Sequence, residues 1–227
     1  MANDSVIIGL GYRMRSGKDT AIAEIIAQRG AQNKFSVTDA CLFCGAGHYD
    51  IRAYGFADAL KREVTAAALS ARGMANLFGE EMYFMQTNEN YLQLPQWVLD
   101  GYEPNPDMTD PFCPLGKQRA LLQWWGTEFR RSINPDYWVN KLAETIAKEK
   151  PQFALVRDMR FQNEMRWVQE RGYTVLVDRE GLPYNEHASE HQLDEATGWD
   201  YVLDNNGTLE DFKVNALLMF DDINGVS

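Results

Sequence analysis

Apolar positions along the chain fall into short runs whose spacing alternates between strand-like and helix-like. Val6, Ile7 and Ile8 form a β-branched run that ends in glycines, and from Thr20 the residues Ala21, Ile22, Ile25 and Ile26 return at helical spacing. Gly30, just past that pattern, reads as the helix stop. After an irregular stretch at 33–50, residues 51–56 read as a strand and 58–72 as a helix, which begins a second unit. Residues 73–116 carry Asn, Asp, Pro and scattered aromatics (Tyr83, Phe84, Tyr91, Trp97, Tyr102) without a period that builds sheet. They are expected to form an insertion covering a cleft. Helical spacing resumes over 117–132, and Asn134 followed by Pro135 opens another helix, with Asn as cap. A strand at 153–156, a helix at 161–171 ended by Gly172, a strand at 174–177, a strand at 201–203, an Asn-Asn-Gly turn at 205–207 and a helix at 209–220 follow. Strands alternating with helices predict an α/β fold, a parallel sheet flanked by helices, in a single domain spanning 1–227 with no internal repeat.

Composition limits what such a domain can do. With 227 residues, 45% of them hydrophobic, the chain can bury a substantial core. A formal net charge of -11 disfavours nucleic-acid polymers, whose binding rests on neutralising many phosphates, but a small phosphorylated ligand needs only a local cluster of Arg and Lys. No apolar run approaches the roughly 18 residues of a membrane span, and the first residues lack a leader pattern, so a soluble, cytoplasmic chain without a membrane partner is expected. Three cysteines are too few for a disulfide framework and point to a reducing compartment. Cys41, Cys44 and His48, with the distant Cys113, supply enough ligands for zinc, although buried free cysteine is the commoner use of such residues.

The chemistry begins at RSGKDT, residues 15–20. A triphosphate calls for backbone N–H donors, a helix N-terminus aimed at it and one mobile cation, which Gly-x-x-x-x-Gly-Lys-Ser/Thr supplies between a strand and a helix. Ser16, Gly17, Lys18, Asp19 and Thr20 are therefore the expected nucleotide-binding residues. Two departures stand out. The position of the first glycine is Tyr12, so the spacing from Gly11 is one residue long, and Asp19 replaces the hydroxyl that usually ligates Mg²⁺. A carboxylate can hold Mg²⁺ directly or through water, and Thr20 offers a hydroxyl beside it. A glycine-containing turn before an ordinary helix is the plainer alternative.

Four motifs occur in order: RSGKDT at 15–20, LLQWWGTEFRR at 121–131 with Tyr137 and Trp138 beyond it, RDMRFQNE at 157–164, and HASE at 187–190; DNNGTLED at 204–211 is a fifth, weaker match. Together they resemble the deoxynucleoside monophosphate kinases of tailed bacteriophages, a family with a P-loop NTPase-type fold that also looks related to phosphomevalonate kinase. The resemblance spans most of the chain except about 73–116, which it would make a lid or substrate insertion. It implies transfer of the γ-phosphoryl of ATP, with Mg²⁺, to the 5′-phosphate of a deoxynucleoside monophosphate (dNMP), in the host cytoplasm if the chain is phage-encoded; a homodimer is one assembly open to it.

Each motif then has an expected role. Lys18 contacts the β and γ phosphates, and Arg15, on the same loop, contacts phosphate as well. Asp158 and Arg160 follow a strand at the edge where parallel sheets bind ligands. Asp158 organises Mg²⁺ water, as Asp19 can, or orients an arginine; strand-end ion pairing and helix capping are its plainer duties. By resemblance Arg160 and Glu164 face the phosphates and the substrate. Arg119, Arg130 and Arg131 flank the Trp124 and Trp125 helix and can clamp the acceptor phosphate or swing in on closure, while those two tryptophans read as core. Trp138 is the candidate for contact with base or sugar, and Lys61 stands where the family places its acceptor. Asn206 and Gly207 can line the adenine pocket, though a plain Asn-Gly turn explains them equally well. His187, Ser189 and Glu190 suit a lid or structural role, because no nucleophile elbow precedes them for a hydrolase triad. Two rival readings remain: a kinase for another phosphorylated metabolite, and a nucleotide-binding protein without turnover.

Overall fold

The structure, a computed structural model, describes residues 5–11, 13–30, 49–69, 84–86, 91–93, 95–100, 119–182 and 191–225. Tyr12, Cys41, Cys44, His48, Cys113 and the HASE motif with His187, Ser189 and Glu190 lie outside them. The chain divides into two units, Met1–Phe56 with Val139–Ser227, and Ala57–Trp138.

The first unit holds a five-stranded sheet of β1 (Val6–Gly11), β2 (Ile51–Tyr54), β5 (Phe153–Met159), β6 (Gly172–Asp178) and β7 (Tyr201–Asp204). Its order is β2-β5-β1-β6-β7 and every pairing is parallel, as the strand-helix alternation predicted. Helices α1 (Lys18–Arg29), α6 (Gln162–Gln169) and α7 (Leu209–Ile223) belong to this unit. Side chains two apart along a strand share a face. Ile8 and Leu10 of β1, Phe153 and Leu155 of β5, and Val175 and Val177 of β6 accordingly join Ile22 and Ile25 of α1 and Phe212 and Phe220 of α7 in one core. On the other face Gly9 leaves room for Val168 of α6, since an added Cβ would stand 2.9 Å from its methyl. β1 thus lies between β5 and β6 with both faces covered, the usual fate of a central parallel strand.

Element ends differ from the reading of the sequence in instructive ways. Gly172 does not stop a helix: α6 ends at Gln169 with Glu170 as its cap, and Gly172 opens β6. A Cβ there would come within 1.9 Å of the Ile7 carbonyl oxygen, so the strands demand glycine at this point. Gly30 does cap α1, donating its N–H to the Ile26 carbonyl, but with φ -71 rather than in the left-handed form. The final helix is capped by Thr208, whose hydroxyl accepts from the Asp211 N–H.

In the second unit most of α2 (Phe56–Leu69) precedes an antiparallel pair, β3 (Phe84–Gln86) with β4 (Tyr91–Gln93), and a short α3 (Gln96–Asp100). The expectation that 73–116 builds no sheet is corrected by that pair, whose three-residue strands are too short to show a period. Next comes α4 (Arg119–Gln123), continued as an eight-residue π-helix, Trp124–Arg131. Helix α5 (Tyr137–Glu149) starts later than expected: Asn134 does not cap it but accepts the Asp136 N–H at 3.0 Å in the turn that precedes the helix. Among the described residues no helix is long and apolar enough to cross a membrane.

Candidate functional site

In an all-parallel sheet every strand ends at the same edge, and ligands bind where the strand order reverses. Here that point is the C-terminal end of β1, whose Gly11 pairs with Met159 of β5 and Leu176 of β6. Residues 13–17 leave this end and enter α1. Gly9 and Gly11, the two glycines that spoiled the motif spacing, belong to the strand. Gly11 admits the Trp199 ring, which an added Cβ would approach to 2.5 Å. The loop proper instead takes its left-handed backbone at Arg15 (φ 67) and Gly17 (φ 112). A non-glycine residue there is uncommon and costs roughly 1–2 kcal/mol, so the surroundings must hold it.

Two side chains do so. Asn205, just past β7, donates from Nδ2 to the Ser16 carbonyl at 2.6 Å, and Arg179, just past β6, donates from Nη1 to the Arg15 carbonyl at 3.3 Å. A Cβ on Gly17 would stand 2.4 Å from that same Nδ2. Gly17 is the N-cap of α1 and provides no side-chain cap, which leaves the first-turn N–H groups of the helix to a ligand, as any helix start does. Lys18 opens that turn. Although charged, it is 7% exposed, and its ammonium donates to the Arg13 carbonyl and, at 3.2 Å, to the Ser16 hydroxyl. Asp19 is exposed beside it, and Thr20 is half-buried.

The other expected residues of this edge are placed as follows. Asp158 accepts the Phe56 N–H at 2.7 Å, the helix-capping duty weighed as its plainer alternative. An added Cβ on Gly55 would lie 2.9 Å from its second oxygen. Arg160 is half-buried, and its N–H donates to Glu164 at 2.8 Å. Glu164 is 1% exposed and also accepts from the Phe161 N–H at 3.1 Å. Its carboxylate therefore closes the start of α6, which corrects its expected exposure to substrate. The Asn206 side chain accepts the Glu180 N–H and donates to Asp204, tying the turns after β6 and β7 together. Beside Gly207 an added Cβ would meet only Asp211, at 3.8 Å. Arg13 reaches Asp194 at 3.8 Å, and Asp194 also contacts His191 at 2.8 Å.

Arginine-bearing elements of the second unit form a separate arrangement. Glu63 of α2 accepts from Trp125 Nε1 at 2.9 Å, Arg130 Nε at 2.5 Å and Tyr137 Oη at 2.7 Å. The Arg130 guanidinium lies over the Phe129 and Tyr137 rings, 4.8 and 4.9 Å from their centroids. Arg131 donates to the Pro135 carbonyl at 3.3 Å. Arg119 is exposed at the start of α4, and Lys61 is half-buried on α2. Trp124 and Trp125 are buried, as expected of core. So is Trp138, at 2% exposure with its indole N–H spent on the Gly126 carbonyl; it packs the unit and does not present a face to a base, correcting that expectation.

Sequence reading passed over Asn205, Arg179 and Glu63. Asn205 sits inside DNNGTLED, one residue before the asparagine singled out, and Arg179 is the first residue after a strand at the binding edge, a position that could have drawn notice. Glu63 carries no local signal.

Comparison with known proteins bears on the C-terminal half of the chain. Residues 116–215 match the deoxynucleotide monophosphate kinase family. A protein of Acanthamoeba polyphaga mimivirus, whose name gives it that activity provisionally, is 32% identical over 108 residues, 41% of this chain and 56% of the relative. The chain thus aligns with little more than half the length of that relative. The loop between β1 and α1 lies outside 116–215, so its geometry is independent of the family match.

Proposed function

We propose that this chain belongs to the deoxynucleotide monophosphate kinase family and transfers the γ-phosphoryl of ATP to the 5′-phosphate of a deoxynucleoside monophosphate, giving a diphosphate and ADP. The observation that carries the proposal is the loop at the C-terminal end of β1. It combines left-handed Arg15 and Gly17 with the uncapped N-terminus of α1 and a buried lysine at the first turn, which together would offer a triphosphate backbone donors and a cation at one place.

Phosphoryl transfer asks the protein for positioning and charge stabilisation more than for covalent chemistry. Lys18 would leave its loop carbonyl for the β and γ phosphates, and Arg15 and Arg160 would spread charge on the transferring group. Arg130 and Arg131, with Arg119 and Lys61, would receive the acceptor phosphate. Mg²⁺ when bound would neutralise charge on the triphosphate. Asp19 and Thr20 are hard oxygen donors of the kind that cation takes. Asp158, holding the start of α2, would act by position. The buried lysine and the basic residues around the loop weigh against a protein without turnover.

Incubating the protein with ATP, Mg²⁺ and each monophosphate in turn tests the reading. Diphosphate should form with at least one deoxynucleotide, and Lys18→Ala should lower kcat by about a hundredfold or more, the scale on which single charge-stabilising donors act. Full activity in Lys18→Ala, or no diphosphate from any monophosphate, would overturn it.

A further inference from the structure

The π-helix and Glu63 together account for how Arg130 is presented. In an α-helix residues five apart point about 140° away from each other. Over Trp124–Arg131 the winding is that of a π-helix, whose hydrogen bonds join residues five apart, so such residues stand nearly one above the other. Trp125 and Arg130 are five apart, and both reach one carboxylate oxygen of Glu63, Arg130 doing so with both Nε and Nη2 at 2.5 Å. The second oxygen takes the Tyr137 hydroxyl, whose ring also lies over the guanidinium.

Three constraints therefore act on one cation: a carboxylate along one edge, the ring of Phe129 from its own helix and the ring of Tyr137 from α5. The edge carrying Nη1 is the one Glu63 does not occupy, and the side chain keeps 24% exposure. An arginine needed only to neutralise Glu63 would not require a helix wound to five-residue spacing. An arginine that must offer a planar donor edge in one fixed orientation would, because preorganisation lowers the cost of bidentate recognition.

From this we infer that Glu63 is a positioning residue for the acceptor phosphate. It fixes Arg130 so that the guanidinium edge Glu63 leaves open meets the 5′-phosphate of the monophosphate substrate, an inference that rests on the kinase reading above. Glu63 touches neither nucleotide, so its loss should be felt by the acceptor and not by ATP.

Steady-state kinetics of the full chain separate these effects. Glu63→Gln should raise the KM for the monophosphate at least tenfold while leaving the KM for ATP within about twofold. Joined to Arg130→Ala it should add little to the loss that Arg130→Ala produces alone, since coupled residues are not additive. Tyr137→Phe keeps the ring over Arg130 and removes one donor to Glu63, and should raise the same KM severalfold with an unchanged melting temperature; it serves if Glu63→Gln does not fold. An unchanged monophosphate KM in the variant that folds, whatever its melting temperature, would make Glu63 a structural residue only and sink the inference while the kinase reading stood. A wild-type protein inactive on every monophosphate would sink both.

Discussion

At the scale of single residues, the loop between β1 and α1 owes its shape to side chains that sit on other segments. Arg15 adopts a left-handed backbone that its own side chain disfavours, and the hydrogen bonds from Arg179 and Asn205 hold the Arg15 and Ser16 carbonyls, those of the two peptide links that flank Ser16. Asn205→Ala should therefore loosen the loop, raising the KM for ATP about tenfold, the equivalent of one ordinary hydrogen bond at about 1.4 kcal/mol. Asn205→Asp should be worse, because a carboxylate oxygen would face the Ser16 carbonyl in place of a donor. Kinetics on the two variants check the order; equal or unaltered ATP affinities would show that the loop holds itself. At Gly17, by contrast, positive φ and the crowding by Asn205 act together, so no side chain suits the position.

At the scale of elements, glycines decide how the strands and helices approach. Gly9 sets the distance to α6 and Gly172 the distance between β6 and β1, and neither carries a positive φ. Because the atom that a Cβ on Gly172 would strike is the backbone oxygen of Ile7, no rotamer change relieves the clash. Gly172→Ala should destabilise the protein by about 3 kcal/mol or more, seen as a lower urea midpoint. A midpoint close to wild type would mean that the register between these strands is softer than its geometry implies. Hydrogen bonds also join elements here: the Tyr201 hydroxyl donates to Asp222 at 2.6 Å, linking β7 to α7. That bond, followed by burial, pushes the phenol up to about 12. The π-helix belongs to this scale as well, since its winding and not its composition brings Trp125 and Arg130 to one carboxylate.

At the scale of the whole molecule, a chain of net charge -11 that binds anionic nucleotides as proposed would do so through the basic residues that gather where the strands end. Arg13, Arg15, Lys18, Arg160 and Arg179 all belong to segments that follow β1, β5 or β6 or to the first turn of α1. Binding should then register as global stability. ADP with Mg²⁺ at a hundred times its Kd should stabilise the fold by about 2.7 kcal/mol, raising Tm by roughly 5–11 °C for a chain of this size. Lys18→Ala should abolish most of that rise. A shift of the same size in both proteins would place the nucleotide somewhere other than this loop.

Much of this was legible in the sequence. The alternation of apolar periods determined the parallel α/β fold, because a strand buried on both faces and a helix buried on one leave different spacings that neighbours in sequence suffice to reveal. RSGKDT located the loop for the same reason: its donors, its glycine and its lysine are consecutive. Tertiary structure alone decided what depends on residues far apart in the chain. It turned Glu164 and Trp138 inward, where each satisfies a backbone group, and it gave the left-handed turn to Arg15 rather than to an additional glycine. It also drew Asn205 against Ser16, 189 positions away, and gathered Trp125, Arg130 and Tyr137 around Glu63. Hydrogen bonds of that kind leave no period and no local motif, since either partner alone is an ordinary polar residue and only the fold makes them a pair.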